Sequence, residues 1–148
     1  MGSLALPPSG IVYADTQVFI YSVEKHPVYA PILRPLWHEV QAGRLEVVSS
    51  ELSLMETLVA PLRNRDTALA AAYEQMFQFP GVRLLPITSA VLREAAALRA
   101  AHASLRTPDA LHAATALLAG CASLLTNDLS FRQITALPVI VLGNAVVP

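Results

Sequence analysis

The chain has 148 residues, 54% hydrophobic and 14% charged, with a formal net charge of −1. That length suits one domain, 1–148, whose core needs no disulfide, and the lone Cys121 excludes an internal disulfide or a cysteine-rich zinc site and suits a reducing cytoplasm. No apolar run reaches the roughly 20 unbroken residues of a membrane span, and near-neutral charge argues against nucleic-acid binding by bulk electrostatics alone.

Met1 to Gly10 lacks the basic start and long apolar run of a signal peptide and is expected to be a flexible lead. Ile11-Val-Tyr-Ala then forms a compact strand that ends at Asp15. Residues 27–42 are helix-like, with an irregular start because of Pro31 and Pro35, and stop at Gly43. Leu45 to Val48 is the second strand. Ser49 and Ser50 offer caps to a helix whose Leu52, Met55, Val59 and Leu62 form one apolar face, expected to be buried. Asp66 caps an Ala-rich helix to about Phe79, and Pro80-Gly81 turns the chain into a strand over Val82 to Leu85. Thr88 or Ser89 caps a helix to about His102, and Thr107-Pro108 opens another that ends near Gly120. Ala122 to Leu125 and Val139 to Leu142 complete five strands.

Strands alternating with helices predict an α/β domain with a mainly parallel sheet and right-handed crossovers. Ligands in such sheets gather beyond the carboxyl ends of the strands, near the point where strand order reverses. Asp15 follows the first strand and Asn127-Asp128 the fourth, so both stand where ligands bind. Each also has an ordinary explanation, Asp15 as a helix cap and Asn127-Asp128 as turn residues.

Two more carboxylates join them. With Leu52 as origin at about 100° per residue, Glu56 falls about 40° around its helix, beside the apolar stripe. Ser53-x-x-Glu56 also fits a capping box. Asp109 lies in the first turn of a helix that is apolar almost all round and therefore buried, where the helix dipole alone would favour a carboxylate. His112 shares its face and reads as a neutral, hydrogen-bonded side chain among alanines. Converging carboxylates repel one another by several kcal/mol unless protons or cations neutralise them. All-oxygen ligands point to Mg²⁺ or Mn²⁺ rather than Zn²⁺. Two such ions about 3.5–4 Å apart activate a water and stabilise the leaving oxygen of a phosphodiester, and their charge offsets the weak basicity of the chain. Arg106 and Arg132, flanking the acidic positions, are candidate phosphate contacts.

Tyr13-Ala-Asp15-Thr-Gln-Val-Phe-Ile-Tyr, Ser49-Ser-Glu-Leu-Ser-Leu-Met-Glu56, Pro108-Asp109-Ala-Leu-His-Ala-Ala-Thr-Ala-Leu and Leu125-Thr-Asn-Asp128-Leu-Ser-Phe, in this order and spacing, resemble the PIN-domain nucleases over nearly the whole chain. The resemblance implies a three-layer α/β/α sandwich on a five-stranded, mainly parallel sheet. It implies that Asp15, Glu56, Asp109 and Asp128 bind Mg²⁺ or Mn²⁺, with Thr126, Asn127 and Gln17 in support. Short members are similar to VapC toxins, which implies an endoribonuclease acting on RNA, a homodimer and a cognate antitoxin that covers an apolar groove. Gln17 departs from the family, which commonly has Asn or Ser there. A catalytically weak PIN-like module that binds RNA or protein is the alternative. Phosphatase and receiver folds fit less well: the first wants a second Asp where Gln17 stands, and the second a late lysine, whereas the only lysine is Lys25.

Overall fold

The computed structural model describes residues 3–146. Its elements run β1 Gly10–Ala14, α1 Thr16–Val23, α2 Tyr29–Gln41, β2 Leu45–Ser50, α3 Leu52–Arg63, α4 Thr67–Phe77, β3 Val82–Leu85, α5 Ser89–Ala101, α6 Thr107–Leu118, β4 Ser123–Thr126 and β5 Val139–Val141. Short 3₁₀ turns follow β4 at Leu129–Gln133 and β5 at Leu142–Ala145. The five strands form one sheet in the order β3-β2-β1-β4-β5, and every neighbouring pair is parallel. The parallel α/β domain expected from alternating elements, and the α/β/α sandwich that the resemblance implies, are therefore present, and the expected boundaries agree to within about two residues.

Successive side chains of a strand point to opposite faces, and both faces here are covered. Tyr13, Val48 and Leu124 pack under α5 and α6, against Val91, Leu98, Ala110 and Ala113. Val12, Ala14, Val47 and Leu125 pack on the other face with Val18, Phe19, Leu33 and Leu36 of α1 and α2. Leu4 and Leu6, in the segment expected to be a lead, lie against this second cluster, whereas Met1 and Gly2 are outside the described residues. Gly81, in the expected turn, has φ +90°, and a Cβ there would meet Val40 Cγ1 at 2.7 Å. Only glycine fits both constraints.

The α3 helix corrects one expectation. Met55, Val59 and Leu62 are 58%, 44% and 66% exposed, while Ser53, Thr57 and Pro61 are buried. The inward face is polar because its hydroxyls find acceptors. Thr57 donates to the Ser53 carbonyl at 2.8 Å, and Ser53 Oγ lies 2.8 Å from Ser49 Oγ and 2.9 Å from Thr16 Oγ1. A buried hydroxyl so satisfied carries little penalty. Among the described residues no helix is long and apolar enough to cross a membrane.

Candidate active site

Strand order reverses at β1, which has β2 and β3 on one side and β4 and β5 on the other. The carboxyl ends of β1 and β4 therefore flank the switch point at which open α/β sheets bind ligands. A cavity of ≈ 740 Å³ opens there, and Asp15, Glu56, Asp109 and Asp128 all line it. They arrive on four separate segments: the end of β1, the middle of α3, the first turn of α6 and the residue pair after β4. A larger cleft of ≈ 970 Å³ at the other end of the strands is lined by Arg44 and Arg83. Both are already paired, with Glu39 and Glu46.

Asp15 is held from both sides. Its Oδ1 accepts from the Thr16 backbone N–H at 2.6 Å and its Oδ2 from the Thr126 hydroxyl at 2.7 Å. Its own N–H donates to the Leu125 carbonyl at 3.0 Å, which extends the β1–β4 ladder to the site. Burial pushes the Asp15 carboxyl above the usual carboxylate range, the Glu56 charge adds to this, and His112 and the two hydrogen bonds oppose it. The helix-capping explanation is thus true of Asp15.

Thr126 couples Asp15 to Asp128, since its hydroxyl accepts from the Asp128 N–H at 3.0 Å while donating to Asp15. Asp128 Oδ1 caps the following 3₁₀ turn through the Ser130 N–H at 2.8 Å. Asn127 Oδ1 accepts from the Gly143 N–H at 3.0 Å, and its amide donates to the Tyr21 hydroxyl at 3.3 Å, tying the β4 end to the chain after β5 and to α1.

Glu56 turns inward from α3. Its Oε1 accepts from the Thr16 hydroxyl at 2.8 Å and stands 2.8 Å from His112 Nε2. The helix begins at Leu52, so Ser53 is inside it and the capping box does not form. Burial raises the Glu56 carboxyl, but its contacts with His112 and Thr16 outweigh it, and the net shift is downward. Asp109 shifts the other way: burial, then the Asp128 and Asp15 charges, raise it against Arg106. Arg106 Nε lies 3.7 Å from Asp109 Oδ2.

Gln17 and Arg106 line the cavity, and both are exposed. Arg132 is exposed and stands outside it. Reasoning from sequence missed Thr16, Ser53 and Tyr13, whose hydroxyls connect the carboxylates from behind. The available signal was Ser53 and Thr57, four residues apart and so on one side of α3.

Among the described residues, no three His, Cys, Asp or Glu side chains converge as a ready-made cation shell. The donor chemistry nevertheless suits a hard divalent cation. Four carboxylates share the cavity without a cysteine, and the Asp128 and Asp15 charges add to the burial that raises the Asp109 carboxyl. Mg²⁺ commonly keeps several waters and uses only one or two protein carboxylates, so a loose set suits it.

An all-parallel α/β/α domain with an acidic cavity at its switch point defines the class of protein. The PIN domain matches residues 12–137, most of the sequence, and the chain belongs to the PIN domain family. The fold is shared with a chain from VapBC2 of Rickettsia felis bound to a DNA fragment from their promoter, at TM-score 0.70 and 19% identity over 87% of this chain and 96% of that one. A chain from a toxin–antitoxin complex of Klebsiella pneumoniae aligns with TM-score 0.64 and 19% identity over 88% and 97%. One from VapBC-5 of Mycobacterium tuberculosis, a member of the VapBC family of toxin–antitoxin systems, gives 0.56 and 21% over 91% and 99%. At such identities the likeness is one of fold. No curated protein matches the chain.

Proposed function

We propose that this chain is a single-domain, Mg²⁺- or Mn²⁺-dependent endoribonuclease of the cytoplasm and the toxin partner of a small antitoxin protein. The observation that carries the reading is the meeting of four carboxylates from four segments in one cavity. Membership of the PIN domain family supports it, and the toxin–antitoxin complexes that share the fold support the antitoxin. The exposed Met55, Val59 and Leu62, on the same helix as Glu56, offer the apolar surface that an antitoxin or a second copy would cover.

In this reading Asp15, Glu56, Asp109 and Asp128 hold the cation. When bound, it neutralises the scissile phosphate and lowers the pKa of water. Thr126 and the Thr16 N–H keep Asp15 from rotating, and Thr126 fixes the start of the Asp128 turn. Arg106, at the rim, exchanges its long contact with Asp109 for an RNA phosphate, which suits the guanidinium fork. Arg132, away from the cavity, is placed only for RNA at a distance from the scissile bond. Gln17 supplies its amide at the lip. In the reaction a water oxygen bonds to phosphorus as the bond to the leaving ribose oxygen breaks.

Asp15→Asn and Asp109→Asn are each expected to abolish Mg²⁺- or Mn²⁺-dependent RNA cleavage by at least about 100-fold, with unchanged circular dichroism. Undiminished cleavage by both variants, in preparations free of contaminating RNase, would sink the reading. Gln17 favours a second one, a binding module with weak cleavage, because its side chain makes no hydrogen bond to Asp15 among the described residues. Cation and RNA binding without cleavage, restored to cleavage by Gln17→Asn, would select it.

A further inference from the structure

His112 is nearly inaccessible, 2% exposed, and both of its ring nitrogens are engaged. Nδ1 lies 2.6 Å from the Tyr13 hydroxyl of β1, and Nε2 lies 2.8 Å from Glu56 Oε1 and 3.2 Å from Thr16 Oγ1. Tyr13 Oη already accepts from the Ser50 backbone N–H at 3.0 Å. For a neutral ring, proton counting then selects one arrangement. The phenol has a single proton to give, its oxygen already accepts from Ser50, and Nδ1 is the acceptor beside it. An accepting Nδ1 places the ring proton on Nε2, facing the carboxylate. With the ring proton on Nδ1 instead, the Nε2 lone pair would oppose Glu56 Oε1 at 2.8 Å and the phenol proton would lose its acceptor.

The result is one directed chain: Ser50 N–H to Tyr13 Oη–H, to His112 Nδ1, then His112 Nε2–H to Glu56 Oε1. The Thr16 hydroxyl donates to that same oxygen. Glu56 Oε1 is thus occupied by two donors, while Oε2 makes no hydrogen bond among the described residues. Without the chain, the torsions of a half-buried glutamate would leave either oxygen, or both, turned to the cavity.

We propose that His112 is a positioning residue: Tyr13 fixes its imidazole as the Nε2–H tautomer, and that N–H pins Glu56 Oε1 so that Glu56 meets cation and substrate through Oε2 alone. The last clause rests on the nuclease reading of the cavity, whereas the tautomer does not. Partners of this kind behind a ligand carboxylate typically contribute about 10- to 100-fold in metal affinity.

The test uses the full chain, ¹⁵N-labelled and metal-free, with the His112 nitrogens read by long-range ¹H–¹⁵N correlation and Mn²⁺ affinity read by calorimetry. The expected result is a proton on Nε2 in the wild type and in Glu56→Gln. Mn²⁺ binding should weaken by about tenfold or more in His112→Leu. His112→Gln, which keeps an N–H donor at similar reach, should recover to within about threefold of wild type. Tyr13→Phe should show a mixture of tautomers and reduced affinity, and it decides the matter if His112→Leu does not fold. A ring proton on Nδ1, or undiminished Mn²⁺ affinity in both His112→Leu and Tyr13→Phe, overturns the proposal. A wild type with the expected tautomer that binds no Mn²⁺ at millimolar concentration overturns the nuclease reading and, with it, the role given to Oε2. The tautomer result therefore tells the two failures apart.

Discussion

Asp109 and Glu56 line the same cavity, yet their carboxyls are shifted in opposite directions. A carboxyl raised in the folded state destabilises it, by an amount that is absent below the usual Asp pKa of about 3.9 and grows as pH rises through the raised value. Without a cation, Asp109→Asn is therefore expected to stabilise the protein at neutral pH by about 1 kcal/mol, or about 2–4 °C in melting temperature for a chain of this size. The gain should vanish near pH 3 and shrink when Mn²⁺ is added, because the cation then stabilises only the wild type. Thermal melts in EDTA and in Mn²⁺ check this. Glu56 has the opposite sign. Its depressed carboxyl adds stability above the usual Glu pKa of about 4.3, and the contribution is lost as pH falls through the lowered folded value. Glu56→Gln should melt lower than wild type at pH 7, and the two melting curves should converge below about pH 4. At this scale Asp15 and Asp128 are legible from sequence because Asp15 directly follows a strand and Asp128 comes two residues after one. The role of His112 is not, since its partner Tyr13 is 99 residues away and only the folded sheet brings the phenol to Nδ1.

Hydrophobic periodicity places α3 correctly along the chain but turns its faces the wrong way. Leu52, Met55, Val59 and Leu62 make the more regular apolar stripe, yet Ser53, Thr57 and Pro61 face inward. Periodicity counts apolar residues and gives no credit to hydroxyls that are satisfied when buried. Ser53 is such a group, bridging Ser49 and Thr16 behind Glu56. Ser53→Ala is expected to cost about 1–2 kcal/mol, from two buried hydroxyls left short of a partner. Leu62→Ser, on the exposed face, should change stability by less than about 0.5 kcal/mol. Urea unfolding of the two variants gives the comparison, and a larger loss in Leu62→Ser would mean that the stripe is buried in solution. A second copy or an antitoxin bound on α3 would produce that result. The α4 and α5 helices are easier to read, because Asp66 and Thr88 cap them through the side-chain bonds that their residue types suggest.

Over the whole molecule, topology does what no single motif does. Five short strands and the helices between them are legible from turn residues, caps and apolar runs, and the rule that crossovers are right-handed leaves few sheet orders to choose from. The order β3-β2-β1-β4-β5 then fixes where the site must be, because β1 and β4 are the neighbours at which the chain changes direction across the sheet. Residues 15, 56, 109 and 128 reach one cavity for that reason, a meeting that only the resemblance of the segments around them implied beforehand. Of the hydroxyls behind them, that of Thr126 was implied by the resemblance, whereas those of Tyr13 and Thr16 meet their partners only through packing. Near-neutral net charge and an acidic cavity would leave the attraction of an RNA to a cation held in that cavity. The central claim is that this acidic cavity cuts RNA with a divalent cation. Cleavage of an end-labelled RNA by the purified chain, before chelation with EDTA, after it, and again after Mn²⁺ is restored, tests it most directly when run beside Asp15→Asn. Cleavage should stop with EDTA and return with Mn²⁺ in the wild type, and be absent throughout in Asp15→Asn. Cleavage that persists in EDTA, or that is equal in Asp15→Asn, would contradict it.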